Sequence, residues 1–70
     1  MVKRLGEYLA LCREIRGLTL RDVEKSTGIS NASLSQLETG KHEPSFSRVV
    51  KLADLYGVRL ERLAKEARKH

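Results

Sequence analysis

One segment of this chain is predicted to form two short helices joined by a tight turn. Residues 20–39 have the sequence LRDVEKSTGISNASLSQLET, with Gly28 at the turn. In the second helix, Leu34 and Leu37 face the same side at helical spacing. A helix this short is marginal alone, so its apolar edge must pack against other helices. The pattern therefore predicts a compact helical domain built around this pair.

The rest of the chain has helical periodicity as well, and no segment alternates like a β-strand. Glycines that could end a helix in the left-handed conformation follow four apolar-periodic stretches, at positions 17, 28, 40 and 57. Helix start signals follow three of them, at Thr19, Ser30 and Ser45. We therefore expect an all-α fold, a compact five-helix bundle with helices at about 3–16, 20–27, 31–39, 46–56 and 59–69.

The size and composition of the chain exclude several classes of protein. With 70 residues we expect one domain, residues 1–70, without room for a second core or a buried cofactor cavity. Cys12 is the single cysteine, and no Cys/His spacing suits zinc, so we expect no metal and no cofactor. No apolar run resembles a signal peptide or a membrane span, which predicts a cytoplasmic protein. No carboxylate pair or activated nucleophile is evident, and we expect no enzyme.

The charge of the chain favours a polyanionic partner, with nucleic acid ahead of an anionic membrane. The net charge is +5 and the pI is about 9.8. The charge is uneven, because residues 19–44 contain three basic and four acidic residues and so carry −1. A phosphate-binding surface must therefore draw its charge from the edges of this segment and from its neighbours.

The outward side of the second short helix carries no charge. Ala32, Ser35, Gln36 and Thr39 point away from the leucines, and Asn31 lies on the flank. Amides, hydroxyls and a methyl group are the groups that read base edges in a DNA major groove. On periodicity alone, an ordinary solvated helix surface is the better interpretation.

Four short motifs, in this order and spacing, add a family resemblance. They are Arg16-Gly17-Leu18-Thr19, Gly28-Ile29-Ser30, Ser35-Gln36-Leu37-Glu38-Thr39-Gly40-Lys41 and Pro44-Ser45. With them the chain resembles the Cro/phage-repressor helix-turn-helix family, also called the xenobiotic-response-element (XRE) type. The resemblance extends from about Leu5 to Leu63 and places the helix-turn-helix at residues 20–39.

The resemblance implies a sequence-specific regulator that binds double-stranded DNA, and we expect a repressor acting as a homodimer on a pseudo-palindromic operator. Base contacts are expected from Asn31, Ala32, Ser35 and Gln36. Phosphate contacts are expected from Arg13, Thr19, Leu20, Arg21, Ser33, Lys41, His42 and Arg48. Arg13 and Glu38 match a pair that often links the first and third helices. The expected dimer surface is Gly57, Val58, Arg59 and Arg62, and a stripe of Tyr8, Leu11 and Ile15 on the first helix is a second candidate.

Two positions depart from the family pattern. Leu20 replaces a glutamine that often assists base recognition, which removes one polar reader. Glu24 replaces an alanine that lets the two helices approach closely. Either its methylenes pack while the carboxylate reaches water, or the helix pair sits slightly differently.

The first helix has a second apolar stripe, formed by Tyr8, Leu11 and Ile15, beside the stripe that packs on the helix pair. We favour the interpretation that the fifth helix covers it. Alternatively it stays exposed as a surface for a partner protein. An exposed stripe would favour one rival function, the antitoxin of a toxin–antitoxin pair. The near-neutral centre of the chain and Leu20 favour another, a protein-interaction module of this fold.

Overall fold

The computed structural model describes the backbone of residues 3–68 and the side chains of residues 5–65. Within these residues the protein is all-helical, which confirms the predicted fold class. The bounds agree with the prediction to within one residue, and the predicted end of the last helix at residue 69 lies outside the described part. The helices are α1 Lys3–Ile15, α2 Leu20–Thr27, α3 Asn31–Glu38, α4 Phe46–Tyr56 and α5 Leu60–Arg68.

Side-chain caps set the starts of the three middle helices. The Thr19 hydroxyl accepts the Asp22 N–H, and the Asp22 carboxylate accepts the Thr19 N–H, which completes a capping box on α2. Ser30 caps α3, and Ser45 caps α4. Such a cap typically contributes about 1 kcal/mol, so short helices gain a defined first turn.

The core forms where α1, α3, α4 and α5 meet, with α2 packed on α3 and α4. Each helix contributes to one cluster of buried side chains, which contains Leu5, Leu9, Cys12, Val23, Ile29, Leu34, Leu37, Leu52, Ala53, Tyr56 and Leu63. Burying a leucine side chain stabilises a fold by about 1.5–3 kcal/mol. This cluster is therefore what holds the two short helices in place.

Gly6 lets α1 lie directly against the end of α3. A Cβ atom at this position would lie 2.7 Å from the Glu38 carbonyl oxygen and closer still to that of Leu37. Glycine inside a helix costs about 0.5–1 kcal/mol relative to alanine, and here the close approach of two backbones requires it. Gly6 was not predicted as a structural residue, although a glycine inside an apolar-periodic helix is the signal of such an approach.

The second stripe of α1 is only partly covered. Tyr8 is half-buried, with the Arg62 guanidinium 5.1 Å from the centre of its ring. Leu11 is 51% exposed and Ile15 is 70% exposed, so the expectation that α5 covers the stripe is wrong for both. The reason is that Leu63 of α5 enters the common core beside the first stripe, and one helix cannot cover both stripes of so wide an apolar arc.

Candidate nucleic-acid interface

The inner side of α3 is buried as the periodicity predicts. Leu34 and Leu37 are each 2% exposed, and Ile29, in the turn before the helix, is 4% exposed. Gly28 ends α2 in the left-handed conformation, with φ of 79°, and its N–H donates to the Glu24 carbonyl at 2.8 Å. The turn and the inner leucines together fix the direction of α3.

Thr27 secures the same turn and was not predicted. It is buried, its hydroxyl donates to the Val23 carbonyl at 2.8 Å, and that hydroxyl accepts the Ile29 N–H at 3.2 Å. A buried hydroxyl needs both functions satisfied, and this position satisfies them within the turn. The sequence signal was weak, because a threonine at a helix end is also common on the surface.

The outer side of α3 is exposed and uncharged. Ala32, Ser35 and Gln36 are exposed, and Glu38 is the single charged residue of the helix. Thr39 is also exposed, but its hydroxyl donates to the Ser35 carbonyl at 3.0 Å. The side chains that remain available to a ligand are therefore a methyl, a hydroxyl and a carboxamide.

Glu38 is neutralised by Arg13, the residue expected to pair with it. Arg13 Nε donates to Glu38 Oε2 at 2.8 Å, and Nη2 donates to Oε1 at 3.1 Å. Nη1 donates to the Leu18 carbonyl at 2.8 Å, so every nitrogen of the guanidinium is engaged. These bonds with Glu38 raise the pKa of Arg13 above its usual value. The pair ties α1 to the end of α3, and the phosphate contact expected of Arg13 stays a prediction.

Asn31 lies at the first turn of α3 and is half-buried. Its Nδ2 donates to Glu24 Oε1 of α2 at 3.0 Å. The Glu24 carboxylate therefore has a protein partner, a third arrangement beside the two considered from the sequence. This contact was not predicted, since it joins side chains across the turn.

The residues expected to contact phosphate differ in whether their side chains are exposed or already hydrogen-bonded within the protein. Thr19 uses its hydroxyl for the cap of α2, and Ser33 accepts a hydrogen bond from the Ser30 hydroxyl at 2.9 Å. Leu20 packs against the core, so only its backbone N–H is suited to an anion. Arg48 is half-buried, and the exposed basic side chains are those of Arg21, Lys41 and His42.

An acidic side chain also lies at the start of α2. Hydrogen bonds from the Thr19 backbone and side chain lower the pKa of the exposed Asp22 below its usual value. The first intrahelical bond of α2 runs from the Val23 N–H to the Thr19 carbonyl. The N–H groups of Leu20 and Arg21 precede that bond and remain available.

The expected dimer residues lie between α4 and α5. Gly57, Arg59 and Arg62 are exposed, and Val58 is half-buried against the core. Over the described side chains, no group of three metal-ligating residues comes together. None of the described helices has the length and apolar character needed to cross a bilayer.

Comparison with known proteins places this geometry in a family. A family model described as a helix-turn-helix domain matches residues 4–66. An uncharacterized HTH-type transcriptional regulator of Methanocaldococcus jannaschii is 35% identical over 49 residues, covering 70% of this chain and 74% of the relative. A second such regulator, from Sinorhizobium fredii, is 38% identical over 58 residues, covering 83% of this chain and 75% of the relative.

A solved structure has the same fold. The clp gene regulator ClgR of C. glutamicum superposes with a TM-score of 0.81 at 29% sequence identity, covering 93% of this chain and 84% of that one. The family match includes the helix pair and the helices that support it. The chain therefore belongs to the helix-turn-helix family, consistent with the XRE type, and is a DNA-binding regulator domain and not an enzyme.

Proposed function

We propose that this protein represses transcription by placing α3 in the major groove of an operator and blocking polymerase there. The observation that carries the proposal is the uncharged, exposed side of α3, with Ala32, Ser35 and Gln36 opposite a fully buried face. The Gln36 carboxamide can donate and accept at once, which matches the N7 and N6 edge of adenine. A methyl such as that of Ala32 suits the thymine methyl group.

Backbone amides supply the phosphate contacts in this proposal. The first two residues of α2 and of α3 precede the first intrahelical bonds, which are donated by Val23 and Leu34. Amides at this position lie at the positive end of the helix dipole and bind phosphate oxygens well. The exposed side chains of Arg21, Lys41 and His42 add further phosphate contacts.

The charge distribution favours backbone amides over a basic surface as the groups that position the protein on DNA. Residues 19–44 carry −1, whereas residues 45–70 have seven basic and three acidic residues and carry +4. Within the first segment, Glu38 is neutralised by Arg13 from outside it. Base contacts therefore have to supply a large share of the affinity for the operator, because the general electrostatic attraction near α3 is modest.

The proposal includes a homodimer on DNA. Two copies of α3 would lie about 34 Å apart, one on each half of a pseudo-palindromic site. The exposed Arg59 and Arg62 flank the half-buried Val58 on the surface proposed for the dimer contact. Occupancy of an operator also requires the protein to share a compartment with DNA, which keeps a cytoplasmic location within the proposal.

The test is selection of bound duplexes from a random pool, followed by salt titration of the preferred duplex. We expect a two-fold related sequence whose half-sites are centred about one helical turn apart. Neutralising six to ten phosphates per dimer gives a slope of log affinity against log salt of about −5 to −9. A transcription assay with the selected site at a promoter should then show reduced transcript.

Two results would contradict the proposal. Equal and weak binding of every duplex would show that α3 does not read bases. Increased transcript from the selected promoter would overturn the repressor assignment and leave DNA recognition intact.

A second candidate function is supported by the exposure of Leu11 and Ile15 on α1. An apolar pair of this kind suits a protein partner and keeps the interaction-module and antitoxin alternatives open. Leu11→Ser/Ile15→Ser should leave DNA binding by the purified protein unchanged and abolish capture of such a partner. Loss of DNA binding in this variant would instead assign the stripe to the DNA complex.

A further inference from the structure

We propose that Glu24 determines which base Asn31 prefers and that it does so at the expense of general DNA affinity. The inference rests on the proposed function and concerns the start of α3. The carboxylate of Glu24 holds the Asn31 carboxamide in one orientation through the 3.0 Å bond from Nδ2 to Oε1.

Glu24 contacts both the turn that ends α2 and the first residue of α3. Its backbone carbonyl accepts the Gly28 N–H at 2.8 Å, and its side chain accepts the Asn31 amide. Both side chains are half-buried, so the pair has a defined environment and still borders the outward side of α3. The distance along the chain is seven residues, and the turn brings the two ends together.

The chemistry of the two groups fixes the orientation. A carboxylate only accepts hydrogen bonds, so the Asn31 NH₂ group must face Glu24 and the oxygen must face elsewhere. One N–H and the Oδ1 atom then remain for a ligand. Adenine offers an N6 donor for the oxygen and an N7 acceptor for the N–H, and so it satisfies both. Guanine offers acceptors at both positions and leaves Oδ1 unsatisfied.

The charge of Glu24 acts in the opposite direction. The ion pairs found among the described residues involve Arg13 with Glu14 and Glu38, and none neutralises Glu24. A carboxylate beside the groove repels phosphate at low salt, whichever sequence is bound. Glu24 therefore lowers affinity for all duplexes while it sharpens the choice at one base pair.

The test compares Glu24→Ala, Glu24→Gln, Asn31→Ala and the Glu24→Ala/Asn31→Ala double variant on the selected operator. Asn31→Ala first identifies the base pair that Asn31 reads. Each protein is then titrated with four duplexes that differ only at that pair. Glu61→Gln is the matched control, since it removes one exposed negative charge from α5, a helix that packs on α1 and α4.

For Glu24→Ala we expect discrimination at that pair to fall about tenfold, within the range that one bidentate contact supplies. Mean affinity for the four duplexes should rise about twofold to threefold at low salt, a gain that shrinks as salt screens the charge. Glu24→Gln should give the same rise and keep part of the discrimination, because its side-chain oxygen still accepts. In the Asn31→Ala background, removing Glu24 should raise affinity and leave discrimination unchanged.

Unchanged discrimination in both Glu24 variants would overturn the inference, as would an equal loss in the Asn31→Ala background. If Glu24→Ala fails to fold, Glu24→Gln and the control decide the question. If the wild type binds specifically and the Glu24 variants keep its discrimination, this inference alone is refuted. A wild-type protein without any base preference refutes the proposed function as well.

Discussion

The two sides of α3 differ in how far their side chains are engaged within the protein. On the inner side Leu34 and Leu37 are buried, and Glu38 is held by Arg13. On the outer side Ser35 and Gln36 are exposed. An eight-residue helix can therefore be held in place and still present side chains to a ligand, because one of its sides is fixed by packing before any ligand binds.

Gly6→Ala should produce the largest loss of stability, because it disrupts the packing of α1 against the inner side of α3. The new methyl group would overlap the carbonyls of Leu37 and Glu38, so α1 and α3 must separate. We expect a loss of about 3 kcal/mol in the free energy of unfolding, even though alanine favours a helix more than glycine does. Urea unfolding measures the loss, and DNA affinity should fall with it.

Gly17→Ala is the matched control for that change. A Cβ atom on Gly17 meets nothing within 4 Å, and the only penalty comes from its φ of +68°. We expect a loss of about 1–2 kcal/mol with DNA binding retained. An equal loss of binding in both variants would show that the contact at Gly6 does not set the position of α3.

Because Tyr56 is buried, the stability of the fold should depend on pH in the alkaline range. Burial, aided by the charge of Glu38, raises the pKa of Tyr56 to about 12. The neutral phenol is therefore favoured in the folded state, and this contribution is complete below pH 10 and lost as the pH rises from 10 to 12. The loss should be about 2–3 kcal/mol.

Tyr56→Phe should remove that dependence. The difference in unfolding free energy between wild type and variant, measured from about pH 8 to 12, isolates the phenol from other titrating groups. We expect the difference to shift in favour of the variant above pH 10. A difference that stays constant over the whole interval would refute the burial of this group.

Glu38→Ala should cost about 2 kcal/mol, because it leaves the Arg13 guanidinium without its carboxylate. The effect lies below that of a fully buried pair, since the two side chains are 16% and 11% exposed. DNA affinity should fall as well, through loss of the link between α1 and α3.

Glu14→Ala is the comparison for Glu38, since Glu14 contacts the same arginine at 3.9 Å and is 66% exposed. We expect it to change stability by less than about 0.5 kcal/mol. Equal effects of the two substitutions, measured by urea unfolding and by DNA titration, would mean that Glu38 does not orient α3.

Most of the fold could be predicted from the sequence because its signals are local. Helical periodicity and the caps at Thr19, Ser30 and Ser45 depend on a few neighbouring residues, and they locate α2, α3 and α4. The burial of Leu11 and Ile15 on α1 was mispredicted because it depends on how α5 crosses the bundle. Periodicity shows which residues are apolar and leaves the direction of a neighbouring helix undetermined.

The candidate site was predictable on its outer side and less so where helices meet. The exposure of Ala32 and Gln36 follows from their angle around α3 relative to the leucines. The approach at Gly6 joins two helices, and its single sequence signal is a glycine inside a helical pattern. The bond between Glu24 and Asn31 also joins two helices, and it leaves little trace in a single sequence.

Gln36→Ala should have little effect on stability and a clear effect on DNA recognition. Because Gln36 is exposed, the free energy of unfolding should change by less than about 0.5 kcal/mol. Preference at one base pair of each half-site should fall by about 1–3 kcal/mol, with all other positions retained. Lys41→Ala, a phosphate-side control, should weaken every duplex alike.

The deciding measurement is therefore the base preference of Gln36→Ala beside wild type, taken with the unfolding curve of each protein. We expect unaltered unfolding and a lost preference confined to one position per half-site. Unaltered unfolding with an identical preference profile would contradict it, since the outer side of α3 would then take no part in choosing DNA.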